Sequence, residues 1–157
     1  MKKIFLDTSV ISAYYDARKP TRQRITQKWF EYESKQYELF VSSLVLEEIG
    51  NTSDKKLRQK MLRFVRQWKM NAVLVSEDIE RLAAKYRKVI LRGKVNDTVH
   101  IATATWHGFD AIASWNFRHI VNLKTMNAIH QVNQQNGFAF VEIITLQELG
   151  GNKYGSL

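Results

Sequence analysis

The chain has 157 residues, 45% of them hydrophobic, and this length predicts one domain with its own core. It contains no cysteine, which excludes a disulfide framework or a thiolate metal site and fits a cytoplasmic location. The formal net charge is +9, and residues 54–94 hold 13 Lys or Arg against 4 Asp or Glu, so the excess lies in one segment. Segregated positive charge predicts a polyanionic partner, either nucleic acid or an anionic membrane surface.

The first element is predicted from the apolar run Ile4-Phe5-Leu6, which leads into Asp7 and two hydroxyl residues. Such a run is typical of a strand buried on both faces of a parallel sheet, and Asp7 then ends that strand. Ligands of open α/β sheets bind at this carboxyl edge, although Asp7 or Thr8 as a plain helix cap is an alternative. The run is too short for a signal peptide, and no stretch approaches a membrane span.

Helices and strands are predicted to alternate along the chain, which indicates an α/β/α sandwich around a five-stranded parallel sheet. The domain is predicted to occupy residues 1–150, and residues 151–157 are predicted to be a flexible tail. After the first strand, further strands are predicted at residues 39–41, 72–75, 111–114 and 138–144. Helices are predicted at residues 9–17, 21–34, 44–49, 54–69, 77–91, 97–107 and 121–135.

One basic ridge is predicted on the helix at residues 77–91, where cations recur at helical spacing along one side. It is a candidate nucleic-acid-binding surface, and a solvated helix face is the alternative. Its members are Arg81, Lys85, Lys88 and Arg92.

Acidic and amide side chains are expected to converge at the carboxyl edge of the sheet. Asp7 ends the first strand, Glu47 and Glu48 follow the second, and Asn116 follows the fourth. Asp97 begins the helix that leads into the fourth strand, so its placement at this edge is a weaker inference. These hard oxygen ligands suit Mg²⁺ or Mn²⁺.

Four segments, in this order, resemble the motifs of PIN domains, especially the VapC-type toxins of prokaryotic toxin–antitoxin pairs. The second motif has its acid six residues after the serine, Ser42, which selects Glu48 over Glu47. The resemblance runs from residue 4 to about residue 145. The four segments are Leu6-Asp7-Thr8-Ser9, residues 41–49, residues 96–104 and residues 114–120.

This resemblance implies a five-stranded parallel sheet and a metal-dependent endoribonuclease, often a homodimer, with a small antitoxin protein as partner. It implies that Asp7, Glu48 and Asp97 hold the metal and that Asn116 joins them as a catalytic residue. A basic flank would hold the RNA backbone. Candidate substrate contacts are Thr8, Ser9, His100 and Arg118.

Asn116 departs from the family pattern, because many members have Asp there. Asn116 is expected to bind metal through water, to hold substrate or only to cap the next turn, and the site with this amide is expected to bind a divalent cation more weakly. A PIN-like module that binds RNA or protein without cleavage is therefore the main alternative. His100 as a packing residue and Trp115 as a partly buried residue are expected in preference to direct substrate roles. A receiver domain and a DxD phosphatase are excluded, because Thr8 and Ser9 stand where those classes need acids.

Overall fold

The central strand of the sheet is β1 (Lys2–Leu6), in which Ile4, Phe5 and Leu6 are buried. The computed structural model describes residues 1–90 and 94–155. In it β1 pairs in parallel with β2 (Tyr37–Ser42) on one side and with β4 (Ala111–Ala113) on the other. β3 (Asn71–Val73) and β5 (Glu142–Ile144) complete the order β3-β2-β1-β4-β5. The prediction of a five-stranded parallel sheet between helices is confirmed.

The helices connect these strands and cover the sheet, and most of them begin at a polar side chain that caps the first turn. Ser42 ends β2 and caps the next helix by accepting a hydrogen bond from the Val45 N–H. This junction places that helix at the carboxyl edge of the sheet. The helices of the described residues are α1 (Thr8–Tyr15), α2 (Pro20–Tyr32), α3 (Ser43–Gly50), α4 (Lys55–Gln67), α5 (Glu77–Val89), α6 (Val95–Trp106) and α7 (Leu123–Gln135).

Two element boundaries differ from the prediction for identifiable reasons. β5 begins at Glu142 rather than at residue 138, because the Phe138 N–H donates to the Asn133 carbonyl and closes the end of α7. α6 begins at Val95, two residues before Asp97, and Lys94 is its N-cap residue. Asp97 therefore lies within the first turn of α6 and does not cap it.

The opposite edge of the sheet holds Asp110, whose carboxylate accepts a hydrogen bond of 2.8 Å from the Lys3 N–H. Asp110 therefore has a structural role at this edge and is separate from the acids at the carboxyl edge. Among the described residues, no helix combines the length and the apolar character that crossing a bilayer requires.

The last described residues contact the end of α2. Residues Gly151–Tyr154 form a short 3₁₀ helix, and the Tyr154 hydroxyl donates to Glu33 over 2.8 Å. Lys153 forms an ion pair with the same carboxylate. The division of the chain at residue 150, with a flexible tail beyond it, stays a prediction.

Candidate active site

Asp7 lies at the carboxyl end of β1 and is only 3% exposed. Its Oδ1 accepts from the Ser9 N–H at 3.1 Å and the Ser9 hydroxyl at 2.5 Å, and its Oδ2 accepts from the Ser114 hydroxyl at 2.8 Å. Burial raises the pKa of Asp7, and the charge of His100 and the two hydroxyl donors oppose that rise. Asp7 is thus the N-cap of α1 and also a buried acid at the sheet edge, and ligand binding by Asp7 stays a prediction.

Glu48 points from α3 towards the same edge, whereas its neighbour Glu47 is exposed. Glu48 Oε1 accepts from the Thr8 hydroxyl at 2.5 Å and lies 2.7 Å from His100 Nε2. The Asn96 amide donates to Oε2 over 3.2 Å. Burial alone would raise the pKa of Glu48, but His100, Thr8 and Asn96 together hold it at about 2. Glu48 is therefore a fixed anion at neutral pH.

Asp97 reaches the edge from the first turn of α6. Its Oδ1 accepts from the Asn116 amide over 3.3 Å, and its Oδ2 is buried without a hydrogen-bond partner among the described residues. Burial raises the pKa of Asp97, opposed by the charges of His100 and His119 and reinforced by the charge of Glu48. A buried carboxylate oxygen without a donor is costly, so Asp97 is the least satisfied acid of the cluster.

Asn116 holds Asp97 through its amide nitrogen, and its oxygen is already occupied. Asn116 Oδ1 accepts from the His119 N–H over 3.0 Å, and the Asn116 N–H donates to the Ser114 hydroxyl over 2.9 Å. A flipped amide would place an NH₂ group against the His119 N–H, so this contact fixes the orientation of the side chain. These contacts favour the expected capping role and add the positioning of Asp97.

Three of the candidate substrate contacts hydrogen-bond within the acid cluster. Thr8 donates to Glu48, and the Ser9 hydroxyl donates to Asp7 while it accepts from the Trp115 N–H at 2.9 Å. His100 is 2% exposed and bonds to Glu48, which agrees with the packing role expected for it.

Arg118, the fourth candidate substrate contact, and Trp115 of the same motif differ in their exposure to solvent. Arg118 is exposed on the loop after β4. Trp115 is 2% exposed, and its Nε1–H donates to the Thr26 hydroxyl over 3.0 Å. The expectation of partial burial for Trp115 was wrong, because this hydrogen bond to α2 draws the ring fully into the core.

The basic ridge on α5 is partly engaged within the protein. Arg81 lies 2.5 Å from Asp78 and 3.8 Å from Glu77, both on the same helix. Lys85 donates to the Asn136 side chain over 2.8 Å, and Lys88 is exposed. Arg92, the fourth predicted member, lies outside the described residues. The ridge as a nucleic-acid surface stays a prediction.

The helix α4 carries more positive charge than α5, but the sequence analysis did not predict it as a nucleic-acid-binding surface. Its range Lys55–Gln67 contains no acid, and none of its cations forms an ion pair with another described residue. The absence of acids between residues 55 and 67 is the signal that could have found it. The cations are Lys55, Lys56, Arg58, Lys60, Arg63 and Arg66.

The acid cluster offers carboxylate oxygens, which are the ligands that hard divalent cations prefer, and Mg²⁺ or Mn²⁺ as the ion stays a prediction. In residues 1–90 and 94–155, no three His, Asp or Glu side chains are grouped closely enough to hold a metal ion as they stand. Mg²⁺ commonly takes one or two protein carboxylates, with waters and substrate phosphate as the other ligands, so a smaller protein set suffices. The unpaired Oδ2 of Asp97 is the observation that favours an added cation.

Comparison with known proteins agrees with this fold. The PIN domain model matches residues 4–120, and the chain belongs to the PIN domain family, whose members include nucleases. The matched range contains Asp7, Glu48, Asp97 and Asn116. No curated protein matches the chain as a whole.

Two solved structures share the fold. One is VapC20 from Mycobacterium tuberculosis, a toxin that cleaves the sarcin–ricin loop, at 17% identity and a TM-score of 0.59. That similarity covers 71% of this chain and 88% of VapC20. The other is VapBC2 from Rickettsia felis bound to a DNA fragment from its promoter, at 15% identity and a TM-score of 0.57. It covers 74% of this chain and 89% of the other, and at these identities the likeness concerns the fold.

Proposed function

We propose that the protein is a metal-dependent endoribonuclease that hydrolyses RNA phosphodiester bonds and serves as the toxin of a toxin–antitoxin pair. The single observation that carries this proposal is the convergence of Asp7, Glu48 and Asp97 at one sheet edge, where Asp97 Oδ2 is buried and has no hydrogen-bond partner in residues 1–90 and 94–155. When bound there, Mg²⁺ or Mn²⁺ would offset charge on the phosphate and lower the pKa of a water.

The protein's own residues set the charge and the orientation of this cluster. Glu48 stays ionised because three donors hold its pKa at about 2. Asp7 is held by Ser9 and Ser114, so its carboxylate is fixed before substrate arrives. Asn116 orients Asp97 without adding a further negative charge. The cluster is therefore preorganised to receive a cation and the phosphate that comes with it.

The test is cleavage of a mixed RNA pool with Mg²⁺, with Mn²⁺ and with chelator. Glu48→Gln should abolish cleavage, and Glu47→Gln is the matched control because it makes the same change on the adjacent, exposed residue. Cleavage that persists in chelator, or that survives in Glu48→Gln, would contradict the proposal.

The second candidate is a PIN domain that binds RNA or a protein without cleaving. The observation that favours it is the oxygen of Asn116, which is occupied by the His119 N–H and adds no charge to the cluster. RNA binding that is intact in chelator, together with no cleavage in either metal, would establish this candidate instead.

We extend the proposal to partners and assembly: a small antitoxin that covers the acid cluster, a homodimer and a cytoplasmic location. Coexpression with the product of the neighbouring reading frame tests the antitoxin, which should form a complex and inhibit cleavage. Light scattering of the purified protein tests the dimer, and a monomer mass at micromolar concentration would contradict it.

A further inference from the structure

Arg22, in the first turn of α2, is half-buried, and its guanidinium has no acidic partner among the described residues. Its guanidinium carbon lies 5.4 Å from the ring centre of Trp115 and 5.5 Å from that of Phe117. The side chain makes no ion pair with another described residue, and its Nε is buried without an acceptor in the part of the chain that the structure describes. A buried donor without an acceptor is unfavourable, so an acceptor from a ligand would complete this position.

The two rings hold Arg22 beside the acid cluster. Trp115 and Phe117 flank Asn116, which bonds to Asp97, and the Trp115 N–H bonds to the Ser9 hydroxyl that donates to Asp7. Cation–π contact fixes the plane of a guanidinium and leaves its NH groups at the edge for an anion.

Phe117 provides the second half of a nucleotide contact. It is 41% exposed, whereas Trp115 is 2% exposed and has no face free for a base. The Phe117 N–H donates to the Trp115 carbonyl over 3.0 Å, and this tight turn keeps the ring next to Asn116. Aromatic rings at such positions stack on bases of single strands, which have unpaired faces.

We propose that Arg22 and Phe117 form a nucleotide subsite beside the acid cluster, in which Phe117 stacks on a base and Arg22 binds the adjoining phosphate. The subsite rests on the proposed function for its substrate class and specifies it further as single-stranded RNA. In a duplex the bases are already stacked on each other, so Phe117 has no free base on which to stack.

The experiment measures binding of a short single-stranded RNA that carries 2-aminopurine, in chelator so that no cleavage occurs. Phe117→Leu keeps an apolar side chain without a ring, and it should weaken binding roughly 5-fold to 100-fold and abolish the quenching of 2-aminopurine. Arg22→Gln should lower the salt slope of binding by about 0.7. Arg22→Lys should keep that slope but bind more weakly, because it retains charge without the planar group.

Two variants are matched controls for these changes. Arg24→Gln removes the same charge two residues further along α2, from an exposed side chain bonded to the Tyr154 carbonyl. Phe140→Leu removes an aromatic ring that is 61% exposed and remote in sequence. Both should bind like wild type, and melting curves should show that all variants are folded.

The possible outcomes of these experiments test the subsite proposal and the nuclease proposal separately. If wild type binds RNA and Arg22→Gln and Phe117→Leu bind equally well, the subsite is wrong and the nuclease proposal is unaffected. If both variants lose binding while wild type cleaves nothing in Mg²⁺ or Mn²⁺, the subsite holds and the nuclease proposal fails. Equal binding of single-stranded and duplex RNA, or no binding of either, would also refute the subsite.

Discussion

The change Asp97→Asn tests most directly whether the acid cluster is built to receive a metal ion. Asp97 does not cap α6, and its carboxylate has one weak hydrogen bond, from Asn116 at 3.3 Å. The substitution keeps the Oδ1 acceptor and removes a charge whose other oxygen is buried without a partner. Asp7→Ala is less clean, because it also removes the cap of α1, worth about 1 kcal/mol, and leaves Ser9 and Ser114 without their acceptor.

Two effects of opposite sign set the stability of Asp97→Asn in chelator. Removal of a buried charge that Glu48 repels should stabilise the variant by roughly 1–3 kcal/mol, after subtraction of the cost of the NH₂ group that replaces Oδ2. Loss of a negative charge in the first turn of α6 should cost about 0.3–1 kcal/mol. The net gain of about 1 kcal/mol corresponds to roughly 2–4 °C in melting temperature for a domain of this size.

Addition of a metal ion should make wild type more stable than Asp97→Asn. At 100 times its Kd, Mn²⁺ stabilises wild type by about 2.7 kcal/mol, which corresponds to roughly 5–10 °C, whereas the variant should gain much less. Burial raises the pKa of Asp97, so the advantage of the variant in chelator should exist above that pKa and vanish as the pH falls below 3.8.

The assay is a set of melting curves for wild type and Asp97→Asn, each with chelator and with Mn²⁺, repeated between pH 3 and 8. The reasoning requires the order of the two melting temperatures to reverse on addition of metal. An equal loss of stability in both conditions would mean that Asp97 is a structural residue and not a metal ligand.

The remaining predictions concern the other acids and the basic helices. Glu48→Gln should lower the free energy of unfolding at pH 7 by up to about 3 kcal/mol. This is the stabilisation that corresponds to a Glu48 pKa of about 2 in the folded protein instead of the ordinary 4.5. That loss should disappear as the pH falls from 4.5 towards 2, and chemical denaturation that finds no such pH dependence would contradict the contacts of Glu48. Asn116→Asp should tighten Mn²⁺ binding, measured by calorimetry. In chelator it should lower the melting temperature, because it places a second carboxylate against Asp97. An unchanged affinity for Mn²⁺ would mean that Asn116 only caps the turn and does not contribute to metal binding. Charge-matched triple changes to Gln on α4 and α5 should show which helix holds the RNA backbone, through the larger fall in the salt slope of binding. The α4 triple is Lys56, Lys60 and Arg63, and the α5 triple is Arg81, Lys85 and Lys88.

The sequence predicted the fold and the identity of the converging side chains well, because both depend on patterns that are local in the chain. A buried apolar run followed by an acid places Asp7 at the end of a strand whatever surrounds it. The choice of Glu48 over Glu47 follows from motif spacing, and the two side chains then diverge by about 100° on the helix. The contacts of Glu48 with Thr8 and His100 agree with that choice.

The orientation of individual side chains could not be predicted, because it depends on partners distant in sequence. Asn116 turns its nitrogen towards Asp97 because the backbone N–H of His119 takes its oxygen. Trp115 is buried because Thr26, on a helix 89 residues earlier, accepts its ring N–H. Arg81 is neutralised by acids on its own helix, and the spacing of three and four residues makes this local pairing visible in the sequence.

The position of β1 at the centre of the sheet has a consequence for when activity can first appear during synthesis. Asp7 leaves the ribosome 107 residues before its partner Ser114. At about 5–20 residues per second, translation of that interval takes roughly 5–20 s. A nascent chain that ends before β4 has neither the neighbour that β1 needs on one side nor the hydroxyl that fixes Asp7. The acid cluster is therefore assembled only after β4 has been synthesised, and chains that end before β4 carry the acids without the assembled site.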